Sequence, residues 1–245
     1  MSSHRRAADA GPPPGQFLQP FIPLRIAGAM TLAGLLLSAG ATLSHPPLGA
    51  VAGWDQGYRA IAADRTWVAD HLVLAAGLLL LLPGGAAFHG LLLHRGAARL
   101  SALAALALLL ALPLWLITLA WEITVAPEVS RAVSSASLAA PSLPEAVARG
   151  LWAYPMLVGY AAGFLMWAAV ALWGMDLLRH PGTPRWWGLW GVLGGILGLA
   201  GLPLGALVHA RWALWTMAAT SAVAGSWFAL AGYLLWAEPD SGARA

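Results

Sequence analysis

The chain has 245 residues, of which 60% are hydrophobic and 9% charged, far below the roughly 25% charged residues of a soluble domain. A water-soluble fold of this length could not bury so much apolar surface. The absence of cysteine excludes disulfides, thiolate metal sites and cysteine nucleophiles, and the absence of lysine excludes a P-loop nucleotide site. The net charge of +3 comes from arginines near the ends of apolar segments, as the positive-inside rule explains, so we expect no nucleic-acid partner.

Apolar segments long enough to cross a bilayer, at about 20 residues per helix, follow one another along the chain. We predict membrane helices at about 24–44, 66–93, 100–123 and 151–178, and two more within 186–236. The last stretch is about twice as long as a bilayer crossing, so it must contain a hairpin, whose turn we place near His209. No segment alternates with the two-residue period of an outer-membrane barrel strand. The sequence therefore predicts an all-α bundle of about six transmembrane helices over residues 24–236.

The segments outside the predicted helices are polar. Residues 1–23, rich in proline and glycine, predict a disordered cytoplasmic tail, and residues 237–245 a second cytoplasmic tail. Residues 46–65 and 124–150 predict two outer loops. An alternative for the first helix is a cleaved signal peptide ending at Ala41, because small residues at that point match a cleavage site.

The arginines set the predicted orientation. With the N-terminus inside, eight of the 13 arginines fall on the inner side and five on the outer side. Each inner loop is short and carries arginine, which is where the positive-inside rule is strongest. We therefore predict that both termini are cytoplasmic.

Four ionisable residues, far apart in sequence, fall together on the predicted outer side. They are His45 at the end of the first helix, His71 near the start of the second, Glu122 at the end of the third, and His209 at the hairpin turn. Ionisable residues within membrane segments are costly and usually face the bundle interior or a wet cavity. Three imidazoles and a carboxylate at one depth could bind a metal ion such as zinc, or two imidazoles could be axial haem ligands. In a zinc hydrolase of lipid-like substrates, Glu122 or Asp70 would be the base.

Each candidate also has a structural interpretation. His45 could simply end a helix, Glu122 could pair with an arginine of an outer loop, and His209 could belong to a tight turn. His71 is the hardest to explain in this way, since it lies within an apolar helix. The polar residues near the inner helix ends are interpreted as solvated; they are His89, His94, Asp176 and His180.

Glycines in the predicted fifth helix stand four residues apart, in the pairs 191/195, 194/198 and 201/205. Small residues at this spacing let helix backbones approach closely in lipid. We interpret the glycines as packing within the chain, with contact to a protein partner as the alternative. In that alternative the chain is a structural or assembly subunit of a membrane complex. A small-solute permease is a third function class left open by the sequence.

Three short motifs occur in a recognisable order along the chain. They are His45-Pro46 at the end of the first helix, Trp67, Val68 and His71 at the start of the second, and Pro184, Arg185, Trp186 and Gly188 at the start of the fifth. This order resembles uncharacterised six-helix bacterial membrane proteins of the domain-of-unknown-function type, over most of residues 24–236. The resemblance implies a multi-pass protein of the cell inner membrane, surrounded by lipid, with His45 and His71 as a cofactor-binding pair. It implies no reaction, so whether the chain is an enzyme stays open.

Overall fold

A computed structural model describes residues 22–44, 53–96, 99–135, 145–181, 183–207 and 210–238, without the side chains of 205–217. This part of the chain folds into seven α-helices: α1 (Leu24–Ser44), α2 (Trp54–Ala63), α3 (Trp67–His94), α4 (Arg99–Ser135), α5 (Glu145–Arg179), α6 (Arg185–Leu207) and α7 (Ala210–Ala237). Six of them, all except α2, are long and apolar enough to cross a membrane. The predicted all-α membrane bundle with six spans is confirmed. The two tails lie almost entirely outside the described residues.

The six long helices form a ring in chain order. Each packs against the next one along the chain, and α7 packs against α1, so that α1 stands between α3 and α7. Neighbours run antiparallel, because each is joined to the next across one end of the bundle. With six crossings, α1 begins and α7 ends at the same end of the bundle, which we call the terminal face. We call the opposite end the α2 face, because α2 lies there, and we use the terms terminal half and α2 half for the adjoining halves of the bundle.

The glycines of α6 allow this close packing. A Cβ on Gly195 would lie 2.6 Å from the backbone nitrogen of Ala171 on α5, and a Cβ on Gly194 would lie 3.3 Å from Cα of Ala224 on α7. Helix backbones thus meet on both sides of α6, as small residues four apart permit. The prediction of packing within the chain is confirmed for the glycines at 191, 194, 195, 198 and 201. A protein partner of α6 would have to contact another face of the helix.

Two helices are too long for a bilayer and project from the α2 face. α4 has 37 residues and α5 has 35, about 50–55 Å at 1.5 Å per residue, against a hydrocarbon core of about 30 Å. Their ends at the terminal face are level, because the backbone N–H of Ser101 donates to the Asp176 carboxylate at 2.5 Å. The excess length therefore lies on the α2 face. The predicted outer loop at 124–150 was wrong where the structure describes it, since helix continues to Ser135 and resumes at Glu145.

The apolar side chains of the projecting segment explain why it is helical. Trp121, Val125, Val129 and Val133 stand four residues apart, so they lie on one face of α4 and pack in a cluster with α2 and α5. Because the segment is polar on average, its composition alone does not reveal this apolar stripe. The same reason accounts for α2, which forms within the predicted outer loop at 46–65.

α2 is a short amphipathic helix that folds back over the bundle. It buries Gly57, Tyr58 and Ile61 on one face. Its C-terminal end is joined to α3 by a turn in which Asp64 Oδ1 accepts hydrogen bonds from the backbone N–H and the hydroxyl of Thr66, at 2.8 and 2.9 Å. This local bonding is typical of aspartate in tight turns and fixes the angle at which α2 leaves α3.

Candidate functional site

His71 is buried on α3, one turn after the start of the helix. Only 4% of its surface is exposed, and its ring packs against the Trp67 indole with 4.3 Å between centroids. Its Nδ1 lies 2.6 Å from the carbonyl oxygen of Trp67. Because a carbonyl oxygen only accepts, Nδ1 is the donor of this hydrogen bond. This is the state in which metal-ligating histidines are usually held by a backbone carbonyl.

Glu122 lies on α4, next to the same tryptophan. The indole Nε1 of Trp67 donates to the backbone oxygen of Glu122 at 2.8 Å, so Trp67 contacts both predicted site residues. The sequence predicted that Glu122 ends its helix. This prediction was wrong, since α4 continues for more than three turns beyond Glu122. Its Oε2 is shielded from solvent and has no hydrogen-bond partner among the described residues. A shielded carboxylate oxygen without a partner is costly and calls for an explanation.

Tyr58 of α2 covers this region from the α2 face. Its ring is fully buried, its hydroxyl donates to the backbone oxygen of Ala148 at 3.3 Å, and its ring meets Trp152 edge-on at 5.2 Å. Burial, and to a lesser degree the charge of Glu122, raises the pKa of the Tyr58 phenol from 10.0 to about 12.

The packing of α1 on α3 shows how near the end of α1 comes to His71. Thr31 lies against Gly84, and Ser38 lies against Gly77, seven residues further along α1 and seven back along α3. Antiparallel helices rise equally per residue, so six more steps bring Ser44 to the level of His71. The next residue of the chain is His45, which lies outside the described residues.

His209 also lies outside the described residues, in the connection between α6 and α7. On the other side of α1, Thr31 lies against Gly232 and Leu35 against Gly225, so the end of α1 is level with about residue 217 of α7. Ala210, where α7 begins, is roughly 10 Å beyond that level at 1.5 Å per residue. Within the described part of the chain, no three His, Asp or Glu side chains gather as a metal site requires.

Asp70, the alternative base, takes part in the turn between α2 and α3. Its Oδ2 accepts a hydrogen bond from the hydroxyl of Thr66 at 2.9 Å, and the same hydroxyl donates toward Asp64. One of its oxygens is therefore committed to local structure. Glu122 is the better candidate for a ligand or base, because its Oε2 is shielded and has no such partner within the described residues.

Buried polar atoms without a partner are concentrated in the α2 half. Within the described ranges these atoms are Ser38 Oγ, Asp64 Oδ2, Trp115 Nε1, Trp121 Nε1, Glu122 Oε2 and Trp187 Nε1. Only Trp187 belongs to the terminal half. Native proteins leave few buried polar groups unsatisfied, so this concentration distinguishes the α2 half from the terminal half.

The terminal half contains a buried polar cluster that the sequence interpretation missed. Asp176 is 4% exposed and accepts the backbone N–H of Ser101, which has no acceptor within its own helix because it lies in the first turn of α4. Ser101 Oγ in turn lies 2.7 Å from His89 Nδ1 and accepts a hydrogen bond from Trp173 Nε1 at 3.2 Å. The interpretation as a solvated helix end was wrong for Asp176, whereas His89 is half-buried and bonded to Ser101. The cluster is not a catalytic triad, because its carboxylate binds a backbone amide and not the imidazole.

Aromatic rings fill the bundle beside this cluster. Phe88 meets Trp173 and Trp227 edge-on at 5.6 and 5.3 Å, and the two indoles stack at 5.9 Å. Trp227 Nε1 donates to the backbone oxygen of Trp187 at 3.2 Å, so this buried donor is satisfied. Aromatic side chains therefore dominate this part of the terminal half, where Phe88, Trp173 and Trp227 also line a small cavity.

Comparison with known protein families, curated proteins and solved structures finds no match to this chain. The resemblance to six-helix bacterial membrane proteins therefore gains support only for its coarse part, the six membrane helices.

Proposed function

We propose that this chain is a multi-pass protein of the cell inner membrane that binds a metal ion in its α2 half. His71 and Glu122 are the central ligands, His45 is the third, and His209 is a fourth candidate. The observation that carries the proposal is the shielded Glu122 Oε2, which has no partner in the described part of the chain. A cation would satisfy this oxygen and offset the cost of burying it. The arginine distribution makes the terminal face cytoplasmic and the α2 face external.

The state of His71 supports the same proposal. Its Nδ1 donates to the Trp67 carbonyl, which is the kind of hydrogen bond that orients metal-ligating histidines, and Nε2 would be the ligating nitrogen. A carboxylate with two or three imidazoles is a donor set that suits zinc. Three protein ligands would leave a fourth position for water, as in catalytic zinc sites, whereas four would close the site. Haem held by His71 and His45 is the alternative cofactor. Bound haem would be recognised by its Soret absorbance band, which a zinc site lacks.

Elemental analysis and an absorbance spectrum of the detergent-purified protein test the proposal. We expect near-stoichiometric metal in the native protein and its loss in His71→Ala and Glu122→Gln. The matched control is His89→Ala, which removes a histidine from the same helix, α3, but from the terminal half. We expect this variant to retain its metal.

Each other result has a definite meaning. A Soret band that is present in the native protein and lost in His45→Ala and His71→Ala would show that the site binds haem and not a metal ion. A native protein with neither metal nor haem would overturn the proposal and favour the alternatives, an assembly subunit or a permease. Constant co-purification with other membrane proteins would support the first of these, and solute uptake by proteoliposomes would support the second.

A further inference from the structure

Trp67 contacts both central ligands of the proposed metal site. It is 3% exposed, and it precedes His71 by about one turn of α3, so the two side chains lie on the same face of that helix. Glu122 belongs to the neighbouring helix, α4. We propose that Trp67 is a positioning residue of this site, because it fixes the orientation of the His71 ring and the level of Glu122 relative to that ring. The inference rests on the proposed metal site for the identity of the ligand.

Two contacts from Trp67 hold the His71 imidazole in one orientation. The backbone oxygen of Trp67 accepts the hydrogen bond from Nδ1, with 2.6 Å between the two atoms. The Trp67 indole packs on the imidazole, at 4.3 Å between ring centroids and 35° between ring planes. The hydrogen bond determines which ring nitrogen is turned toward the helix backbone, and the indole limits rotation of the ring. Nε2, the nitrogen that would ligate the metal, therefore has a fixed direction, as a preorganised site requires.

A third contact joins Trp67 to α4. Its indole Nε1 donates to the backbone oxygen of Glu122 at 2.8 Å. A carbonyl oxygen inside a helix accepts the N–H of the residue four positions later and has a second lone pair, so Glu122 does not need this bond to be satisfied. The bond instead fixes the Glu122 backbone relative to the start of α3. Because the carboxylate extends from that backbone, its level relative to His71 depends on Trp67.

Two purely structural explanations account less well for Trp67. A tryptophan of the membrane interface usually directs its N–H to water or lipid head groups, whereas the Trp67 N–H is bonded within the bundle. A tryptophan that only fills the cluster with Tyr58 and Val129 requires no particular hydrogen bond. Trp121 fits that description, because it belongs to the same cluster, is 7% exposed, and has no partner for its Nε1 within the described residues. Trp121 is therefore a matched control for Trp67.

Phenylalanine at each position separates positioning from space-filling. Trp67→Phe keeps an aromatic ring beside His71 but removes the donor to Glu122, whereas Trp121→Phe removes an indole of similar burial from the same cluster. We would titrate metal-free protein with Co²⁺, whose visible absorption depends on ligand geometry, and measure the unfolding free energy of the same metal-free samples.

We expect Trp67→Phe to weaken Co²⁺ binding about tenfold and to change the Co²⁺ spectrum, as is usual when a residue that orients metal ligands is lost. Trp121→Phe should keep the native affinity and spectrum, although both variants lose stability. Equal Co²⁺ affinities in the two variants would show that Trp67 only fills space and would overturn the positioning role. If Trp67→Phe does not fold, Trp67→Met and Trp121→Met replace the pair, since methionine also lacks the donor and favours helix.

A second measurement requires no metal. Because the chain has no cysteine, spin labels can be attached at two exposed positions, through Val68→Cys on α3 and Thr124→Cys on α4. We expect the distribution of distances between the labels to broaden or shift in Trp67→Phe and to stay unchanged in Trp121→Phe. An unchanged distribution in Trp67→Phe would overturn the role of Trp67 in placing Glu122.

The two measurements separate this inference from the metal site itself. A native protein that binds no Co²⁺ would refute the metal site, and the label distances would still show whether Trp67 sets the level of α4 against α3. Native Co²⁺ binding that Trp67→Phe leaves intact would refute the positioning role alone.

Discussion

The two halves of the bundle differ in how far their buried polar groups are satisfied within the described residues. In the terminal half, Asp176, Ser101 and His89 form a cluster whose donors and acceptors meet, and the Trp227 indole is also satisfied. In the α2 half, Glu122 is the most costly of several buried groups that lack a partner among the described residues. Satisfied polar clusters stabilise and specify a fold, whereas unsatisfied ones are retained where a ligand supplies the partner. The terminal half thus stabilises the bundle, and the α2 half is the part that we propose binds the metal ion.

The largest effect is expected at Asp176. Asp176→Ala leaves the Ser101 N–H buried without an acceptor, which should cost about 2–3 kcal/mol of unfolding free energy. Asp176→Asn keeps an acceptor oxygen and should cost less. Reversible unfolding in mixed detergent micelles measures both. If Asp176→Ala were as stable as the native protein, the terminal cluster would have no structural role.

Close packing in the terminal half predicts the next effect. A Cβ on Gly174 would lie 2.5 Å from the backbone nitrogen of Val192, so Gly174→Ala should push α5 and α6 apart and cost about 1–3 kcal/mol. Gly90→Ala is the matched control, because a Cβ there meets nothing within 4 Å. The control should be neutral or slightly stabilising by helix propensity. Thermal unfolding of the two variants in the same detergent tests the difference, and equal stability would count against the close contact.

Glu122 should show the opposite sign from Asp176. In protein stripped of metal by a chelator, Glu122→Gln replaces a shielded carboxyl group, whose Oε2 no described residue satisfies, by a neutral amide, so stability should be unchanged or higher by about 1 kcal/mol. The same unfolding assay measures it. A clear loss of stability would mean that a residue outside the described ranges already pairs with Glu122, and the contrast between the halves would fail.

The smallest effect concerns Tyr58. Its pKa of about 12 in the folded protein exceeds the ordinary 10.0, so its contribution to stability is complete below pH 10 and is lost as the pH rises through the folded pKa. Tyrosinate absorbance should show a step near pH 12 that Tyr58→Phe removes. Glu122→Gln should move this step to lower pH, because the Glu122 charge contributes to the shift. A step that stays in place would show that the two side chains are apart.

The sequence predicts the membrane helices well and the extramembrane parts poorly, for a physical reason. Long apolar runs identify spans because backbone in lipid must form helix. The helical stripe of Val125, Val129 and Val133 is short and set among polar residues, so the segment was predicted to be a loop. Asp176 was misinterpreted because its partner, the Ser101 amide, is 75 positions away in sequence and is brought close only by packing. His71 and Glu122 were found as expensive ionisable residues, but their shared contact with Trp67 depends on the register of α3 and α4.

The most direct test of the proposed site is the effect of zinc on stability. At about 100 times its dissociation constant, zinc should raise the unfolding free energy of metal-free native protein by about 2.7 kcal/mol. His89→Ala should respond in the same way, whereas His71→Ala and Glu122→Gln should not respond. A native protein that zinc does not stabilise, or an equal response in His71→Ala, would contradict the proposal that the α2 half is a metal site.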